Sequence, residues 1–150
     1  MFTEGHILED GAAARTASGY GSIAAAAKTV NLGNGLVRGN VVIDVSDMTM
    51  QSNDELYQLH LMGGDDSDFT KEVALATLEI GCMEVIEGSK DSKIGRYILA
   101  FENEQNGVIF PYVRIRHAIS GTTPSLTYTA RLEKDLPVRG RISATATTTT

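Results

Sequence analysis

The side chains that could support hydrolysis are dispersed along the chain. His6, His60 and His117 are widely spaced, and no G-x-S-x-G motif presents a serine on a sharp turn. Glu102 and Glu104 could form the carboxylate pair of a glycoside hydrolase, but they flank a predicted turn, and the chain has no tryptophan to stack on a sugar. The sequence therefore predicts no catalytic residue, and we expect a protein that is not an enzyme.

Two glycine-containing segments resemble ligand-binding loops. Residues 19 to 24 match the loose dinucleotide pattern G-x-G-x-x-A, but no strand pattern precedes them, as that motif requires. Asp65, Asp66 and Asp68 are oxygen ligands that suit Ca²⁺, although the glycine and glutamate of a calcium loop do not follow at the required spacing. Flexible glycines and a solvated turn are the simpler interpretations. No cofactor and no metal ion is predicted, and a cation at residues 65 to 68 stays an open alternative.

Arginines in the last third of the chain are the strongest candidates for binding a partner. Arg114 and Arg116 are two residues apart, so both should point to the same side of one strand. The planar guanidinium group makes directed contacts with carboxylates, which suits docking of an acidic partner, whereas a charged sheet face is the alternative. The predicted interaction surface consists of Arg15, Tyr20, Arg114, Arg116 and Arg131.

Charge and cysteine content limit the classes of partner. The formal net charge is -6, from 13 basic and 19 acidic side chains, which opposes binding to nucleic acid. Cys82 is the only cysteine, so no disulfide can form within one chain and no cysteine-based zinc site of the usual kind is expected. No basic start leads into an apolar run, and no apolar stretch approaches the roughly 18 residues of a membrane span. We therefore expect no membrane partner and synthesis in the cytoplasm.

After residue 27, turn residues separate eight apolar, β-branched runs, a pattern typical of an all-β sandwich or barrel. The predicted strands are Lys28–Leu32, Leu36–Asp44, Glu55–Met62, Glu72–Glu79, Cys82–Ile86, Arg96–Phe101, Val108–Ile119 and Ser125–Leu132. Residues 68 to 80 also contain good helix formers, but a strand is favoured because Val73, Leu75 and Thr77 can share one face.

Turn chemistry predicts how some of these strands connect. Gly33, Asn34 and Gly35 predict a tight hairpin between the first two strands, because an Asn-Gly pair accepts positive φ angles. Residues 103 to 107 predict a second hairpin. Pro111 cannot donate to a ladder, so it should lie at a sheet edge, a bulge or a change of strand partner.

Both ends of the chain differ from the middle. Residues 1 to 27 are rich in glycine and alanine without periodicity, and we predict an extended, flexible arm that is either mobile or ordered by a neighbouring subunit. Residues 28 to 142 would form the sandwich domain. Residues 143 to 150 alternate alanine and threonine and end in four threonines, which predicts a mobile tail.

The order of these segments resembles the cement, or decoration, proteins of podovirus-type tailed bacteriophages. The resemblance covers residues 28 to 132 and rests on the strings TVNLGNG, VVIDV, DELYQLHLMGGDDSDF, EVALATLEIG, GRYILAFENEQNGVIFPYVRIRHAISG and SLTYTARL. It implies a jelly-roll-like antiparallel β-sandwich of about eight strands that self-associates as a homodimer or homotrimer. It also implies a place on the outer capsid surface of the virion, where the protein bridges major capsid protein subunits against the pressure of packaged DNA.

Two other functions remain open from the sequence. One is a different structural role in a phage head or tail. The other is a β-sandwich module that binds carbohydrate, for which Tyr57, Tyr97, Tyr112 and Tyr128 are the candidate aromatic platform. An acid–base enzyme would need polar groups that converge in a pocket, and the sequence indicates none.

Overall fold

The computed structural model describes residues 6–86 and 90–133, and within them the chain is almost entirely β-structure with no α-helix. The predicted all-β sandwich is confirmed. The strands are β1 (Ile7–Glu9), β2 (Gly19–Tyr20), β3 (Ser22–Ile23), β4 (Ala26–Ala27), β5 (Val30–Asn31), β6 (Arg38–Met48), β7 (Leu56–Gly64), β8 (Glu72–Gly81), β9 (Gly95–Glu102), β10 (Glu104–Gln105), β11 (Val108–Ile109), β12 (Tyr112–Ser120) and β13 (Leu126–Glu133).

Two antiparallel sheets form the sandwich. The first sheet has the strand order β1-β13-β6-β9, and the second has the order β2-β12-β7-β8, with β5 also paired to β12. Two short pairs, β3 with β4 and β10 with β11, lie outside these sheets. Strands that follow one another in sequence therefore mostly lie in opposite sheets, and only β7 and β8 form a long hairpin.

Alternation of apolar and polar residues along each strand places the core between the sheets, because successive side chains point to opposite faces. Val41, Ile43 and Val45 of β6 are buried on one face, as the sequence predicts. Tyr57, Leu59 and Leu61 of β7 face them from the other sheet and have no exposed surface. The remaining fully buried large apolar side chains are Leu8, Ile115, Leu126, Tyr128 and Leu132.

The predicted hairpin at Gly33, Asn34 and Gly35 is wrong. Strand β5 pairs with β12 in the second sheet, whereas β6 lies in the first, so residues 32 to 37 cross between sheets. Buried Asn103 holds this crossing, because its amide donates to the Gly35 carbonyl oxygen at 3.1 Å and its Oδ1 accepts from the Val37 N–H at 2.8 Å. The glycines therefore serve a sheet-to-sheet connection.

The second predicted hairpin is present but small. Asn106 and Gly107 both have positive φ and connect β10 to β11 as the tight turn requires. The long predicted strand over residues 108 to 119 breaks at Pro111, where β11 ends and β12 begins. This break confirms the expectation that a proline would mark a change of partner.

A bulge corrects the expected pattern of β8. Residues 72 to 81 form a strand, as favoured, but the register shifts so that Met62 pairs with Ala74 and Leu61 pairs with Ala76. The extra residue, Leu75, rotates the rest of the strand, so Thr77 is exposed instead of sharing a face with Leu75. The predicted strand Cys82–Ile86 is also wrong, since Val85 and Ile86 N–H groups both donate to the Cys82 carbonyl oxygen and close a turn.

The segment predicted as an extended arm is part of the sandwich from residue 6 onward. Leu8 is fully buried, β1 pairs with β13, and β2 pairs with β12. The expected boundary between a flexible arm and the sandwich domain at residues 27 and 28 is therefore absent. The apolar residues of this segment are too widely spaced to form a periodic pattern, but they still pack at the edges of the core. The predicted mobile tail at residues 143 to 150 lies outside the described residues.

Candidate interaction face

Arg114 is held between two aromatic rings on the outer face of the second sheet. Its guanidinium carbon lies 3.8 Å from the ring centroid of Tyr20 and 4.0 Å from that of Phe69. Its Nε and Nη2 atoms both lie 2.8 Å from Glu72 Oε2. The Arg114 side chain is 22% exposed, so solvent still reaches the stack.

Each partner of Arg114 comes from a different element. Arg114 is in β12, where alternation points it outward, and Tyr20 comes from β2 at the sheet edge. Phe69 is in the loop between β7 and β8 and has a φ of 54°, a conformation that bulky residues rarely adopt. Asp66 supports this loop because its Oδ1 accepts the N–H groups of Asp68 and Thr70 at 3.1 and 3.0 Å.

Arg116 lies in a straight row of side chains across the same face. Tyr20 pairs with Arg116, Arg116 with His60, and His60 with Thr77. Partial burial and the nearby Arg116 lower the pKa of His60, so the imidazole is neutral near pH 7. Arg116 forms no salt bridge with the described carboxylates, so it supplies the unbalanced positive charge of this row.

We define the arginine face as Tyr20, His60, Phe69, Arg114 and Arg116. The predicted common direction of Arg114 and Arg116 is correct, and Tyr20 joins them. Phe69 and His60 are not among the interaction residues predicted from the sequence. A lone aromatic residue in an otherwise polar, aspartate-rich loop was the available signal for Phe69. Phe69 is buried and Tyr20 is 39% exposed, so the arrangement can bind a carboxylate at Arg116 beside the exposed ring of Tyr20.

Arg15 does not belong to this face, contrary to the sequence prediction. Its Nη2 donates to Glu9 Oε1 at 2.7 Å and to Ser22 Oγ at 2.6 Å. The Glu9 carboxylate has no exposed surface and also accepts the N–H groups of Gly11 and Ser22. Arg15 therefore neutralises a buried acid within the N-terminal segment, because a buried charge needs a partner.

Arg131 is also separate from the arginine face. It projects from β13 on the outer face of the first sheet, where it binds Asp44 at 3.2 Å and Glu133 at 2.7 Å. Asp44 in turn binds Arg96 at 2.8 Å. The interpretation as a charged sheet face applies to Arg131, since its charge is shared within a surface network.

His117 and Tyr128 form a buried polar pair inside the sandwich. His117 Nδ1 lies 2.8 Å from the Tyr128 hydroxyl, and the rings meet edge to face. Burial lowers the pKa of His117 to about 4, with further repulsion from Arg15 and Arg116. Burial raises the pKa of Tyr128. The pair is neutral and enclosed, so it joins β12 to β13 and presents no acid or base to a substrate.

A surface cleft beside the end of β9, about 500 Å³ in volume, is a candidate small-molecule site. Its charged groups are already engaged. Glu102 binds Arg38 at 2.8 Å, and Glu104 Oε2 accepts the Gly107 N–H at 2.7 Å. No described side chain in the cleft combines a nucleophile with a general base, so its chemistry does not support catalysis.

Two carboxylate clusters could be considered for a metal ion. In the loop after β7, Asp65 accepts the Lys71 N–H at 3.1 Å, and Asp66 caps its own loop, which favours the solvated turn. Ligand atoms of Cys82, Glu84 and Asp91 lie within 4.8 Å of one another. Burial, followed by the neighbouring Glu55 carboxylate, raises the pKa of Cys82, so without a bound cation the sulfur is a thiol.

Comparisons with known proteins give no family to which the chain can be assigned. No protein-family model matches it, and no similar curated protein and no similar solved structure was found. The described residues contain no helix that is both long and apolar enough to cross a membrane.

Proposed function

We propose that this protein is a capsid cement, or decoration, protein of a tailed bacteriophage. It binds the outer surface of the shell, bridges major capsid protein subunits and stabilises the virion without catalysing a reaction. The observation that carries the proposal is the arginine face, in which Arg114 stacks on Tyr20 and pairs with Glu72 while Arg116 is left with an unbalanced positive charge. A preorganised face of this kind loses little side-chain entropy when it docks on an acidic protein surface.

The strand order supports the jelly-roll form of the sandwich. Eight framework strands follow in chain order as β1, β2, β6, β7, β8, β9, β12 and β13. The first pairs with the eighth, the second with the seventh, the third with the sixth and the fourth with the fifth. These four antiparallel pairs correspond to one long ribbon wound over itself, which is how a jelly roll is built.

The positions of the tyrosines argue against a carbohydrate-binding module. Tyr57 and Tyr128 are fully buried, and the Tyr57 hydroxyl donates to the Thr49 carbonyl oxygen at 2.7 Å. Tyr97 points inward against the core. Of the four predicted platform residues, only Tyr112 lies on an outer face, and a single ring is a weak sugar platform.

Binding to shells tests the proposal directly. Purified protein would be mixed with expanded empty shells of the source phage that lack it, and the shells would be recovered by density-gradient sedimentation. We expect saturable, stoichiometric binding that weakens with salt, because an exposed arginine–carboxylate contact is screened. Occupied shells should also break at a higher temperature than bare shells.

Matched neutralisations separate the arginine face from general electrostatics. Arg116→Gln should weaken shell binding by about tenfold, since a charge-assisted contact contributes about 1.5 kcal/mol. Arg131→Gln removes the same charge from the opposite sheet and should bind like the wild type. Shells that take up no protein would refute the cement function, whereas equal weakening by both variants would show that the arginine face is not the docking surface.

A further inference from the structure

Strand β9 is a long sheet edge with an unusual amount of apolar surface. Among the described residues it pairs only with β6, over eight residues and without a bulge. Ile98 is 42% exposed and Ile94, just before the strand, is 58% exposed. Met83 and Val85, in the connection leading to β9, are also exposed. Natural proteins usually protect such an edge, because its free N–H and C=O groups can pair with another chain.

The other described edges carry the usual protection. Strand β1 has three residues, and β2 and β5 have two each, so they offer few free backbone groups. Strand β8 is long, but the bulge at Leu75 interrupts its register. Strand β9 contains no proline, no lysine and no bulge. It is therefore the one long and regular described edge that is free to add a strand.

The sequence of β9 is complementary to itself when two copies run antiparallel. Residues that are directly opposite in neighbouring strands point to the same face of the sheet. In a symmetric antiparallel pair of β9 strands, this condition holds only when the twofold axis passes at a residue and not between two residues. The register centred on Leu99 places Arg96 opposite Glu102 of the second copy, and Ile98 opposite Ala100. Within the chain Arg96 is paired with Asp44 and Glu102 with Arg38, each at 2.8 Å, but the side chains of Arg96 and Glu102 are 56% and 40% exposed, so each can also contact the second copy. Two ion pairs would then flank an apolar centre on the outer face.

From this geometry we infer that β9 is the self-association edge of the protein, and that its occupant is β9 of a second copy of this chain. The first sheet of one copy and the first sheet of the other join into one continuous sheet, with the twofold axis at Leu99. The interface is isologous, so each copy supplies the same residues and the assembly closes as a dimer. This inference deepens the proposed function by naming the self-association surface, and it rests on that function only for its biological use.

The test uses the purified protein in solution without shells, so its failure is distinguishable from failure of shell binding. Sedimentation equilibrium should give twice the mass of one chain for the wild type. Arg96→Glu and Glu102→Arg should each weaken the dimer by about tenfold, because each places like charges opposite one another at two symmetric positions. The double variant R96E/E102R restores complementarity and should recover most of the affinity.

Arg131→Glu is the matched control. Arg131 and Arg96 both bind Asp44, but β6 separates β13 from the β9 edge, so this variant should leave dimerisation unchanged. A monomeric wild type, or a double variant as weak as the single ones, would overturn the inference. If the single variants do not fold, hydrogen exchange of the wild-type protein tests whether β9 is the dimer edge. Amides of residues 95 to 102 should become more protected as concentration rises, and unchanged protection refutes the edge.

Discussion

Arg15 Nη2 lies 2.7 Å from Oε1 of Glu9, and this ion pair sits where the N-terminal segment packs against β13. Glu9 is fully buried and Arg15 is 22% exposed on its side chain. The Arg15 N–H also donates to the Leu126 carbonyl oxygen, and the Leu126 N–H returns a bond to Arg15. The pair therefore anchors a segment that the sequence pattern presented as a detachable arm.

Arg15→Ala should lower the free energy of unfolding by about 3 kcal/mol, because it leaves a buried carboxylate without its cation. Urea denaturation followed by circular dichroism measures the change. Arg38→Ala is the control, since it breaks a surface pair with 68% and 40% exposed side chains and should cost less than about 1 kcal/mol. Equal losses from both variants would contradict the anchoring role of Arg15.

Acidification should destabilise the fold through His117. The unfolded histidine takes up a proton near its ordinary pKa of 6.5, whereas folded His117 does so only near pH 4. Between these values the unfolded state binds more protons, so the free energy of unfolding falls as pH drops, by roughly 3 kcal/mol in total. Below pH 4 both states are protonated and this contribution is fully lost.

The measurement compares urea denaturation at pH 7 and pH 4.5 for the wild type and His117→Gln. The variant should lose stability at pH 7, but its dependence on pH should be smaller than that of the wild type. His60→Gln serves as the control because His60 lies on the outer face and its pKa is lowered less. A variant that keeps the wild-type pH dependence would show that His117 is not the responsible group.

Two glycine substitutions separate steric contact from backbone effects. A Cβ atom at Gly21 would lie 2.2 Å from the Leu8 carbonyl oxygen and 2.3 Å from Ile115 Cγ2, whereas one at Gly35 would meet nothing within 4 Å. Neither residue has a positive φ. Gly21→Ala should lower the melting temperature, at a cost of about 2 kcal/mol or more, and Gly35→Ala should leave it unchanged or slightly raised. Identical melting of the two variants would argue against the close packing of residue 21.

Removal of residues 1 to 27 should prevent folding. The truncated chain would lose Leu8 from the core, β1 from one sheet and β2 from the other. The chain that begins at Lys28 should give a proton NMR spectrum without the dispersion of a folded β protein. A folded truncated protein would restore the arm interpretation and contradict the packing of residues 6 to 27.

The parts of the fold that were predictable from sequence are those with strong local signals. Alternation in β6 and β7 indicated both the strands and their inward faces, and Pro111 indicated the break before β12. The direction of Arg114 and Arg116 followed from the same period of two. By contrast, Gly33 to Gly35 carry a hairpin signal that is overridden, since the flanking strands pair in opposite sheets and the Asn103 side chain bonds to the backbone of the crossing.

The candidate site also contains residues that were predictable from sequence and residues that were not. Sequence alone selected Tyr20, Arg114 and Arg116 by residue type, but it grouped them with Arg15 and Arg131, which the structure places in a buried pair and on the opposite sheet. Phe69 reaches Arg114 only because the loop after β7 folds back over β12. No local pattern encodes that contact, since the two residues are far apart in sequence.

The sequence by itself determined the β class of the chain, the inner and outer faces of its main strands and its net negative charge, because these depend on composition and on a period of two. Only the tertiary structure decided which strands are neighbours, which arginines are neutralised and which edge stays open. Strand pairing joins residues distant in sequence, and the choice among pairings depends on the packing of both sheets at once.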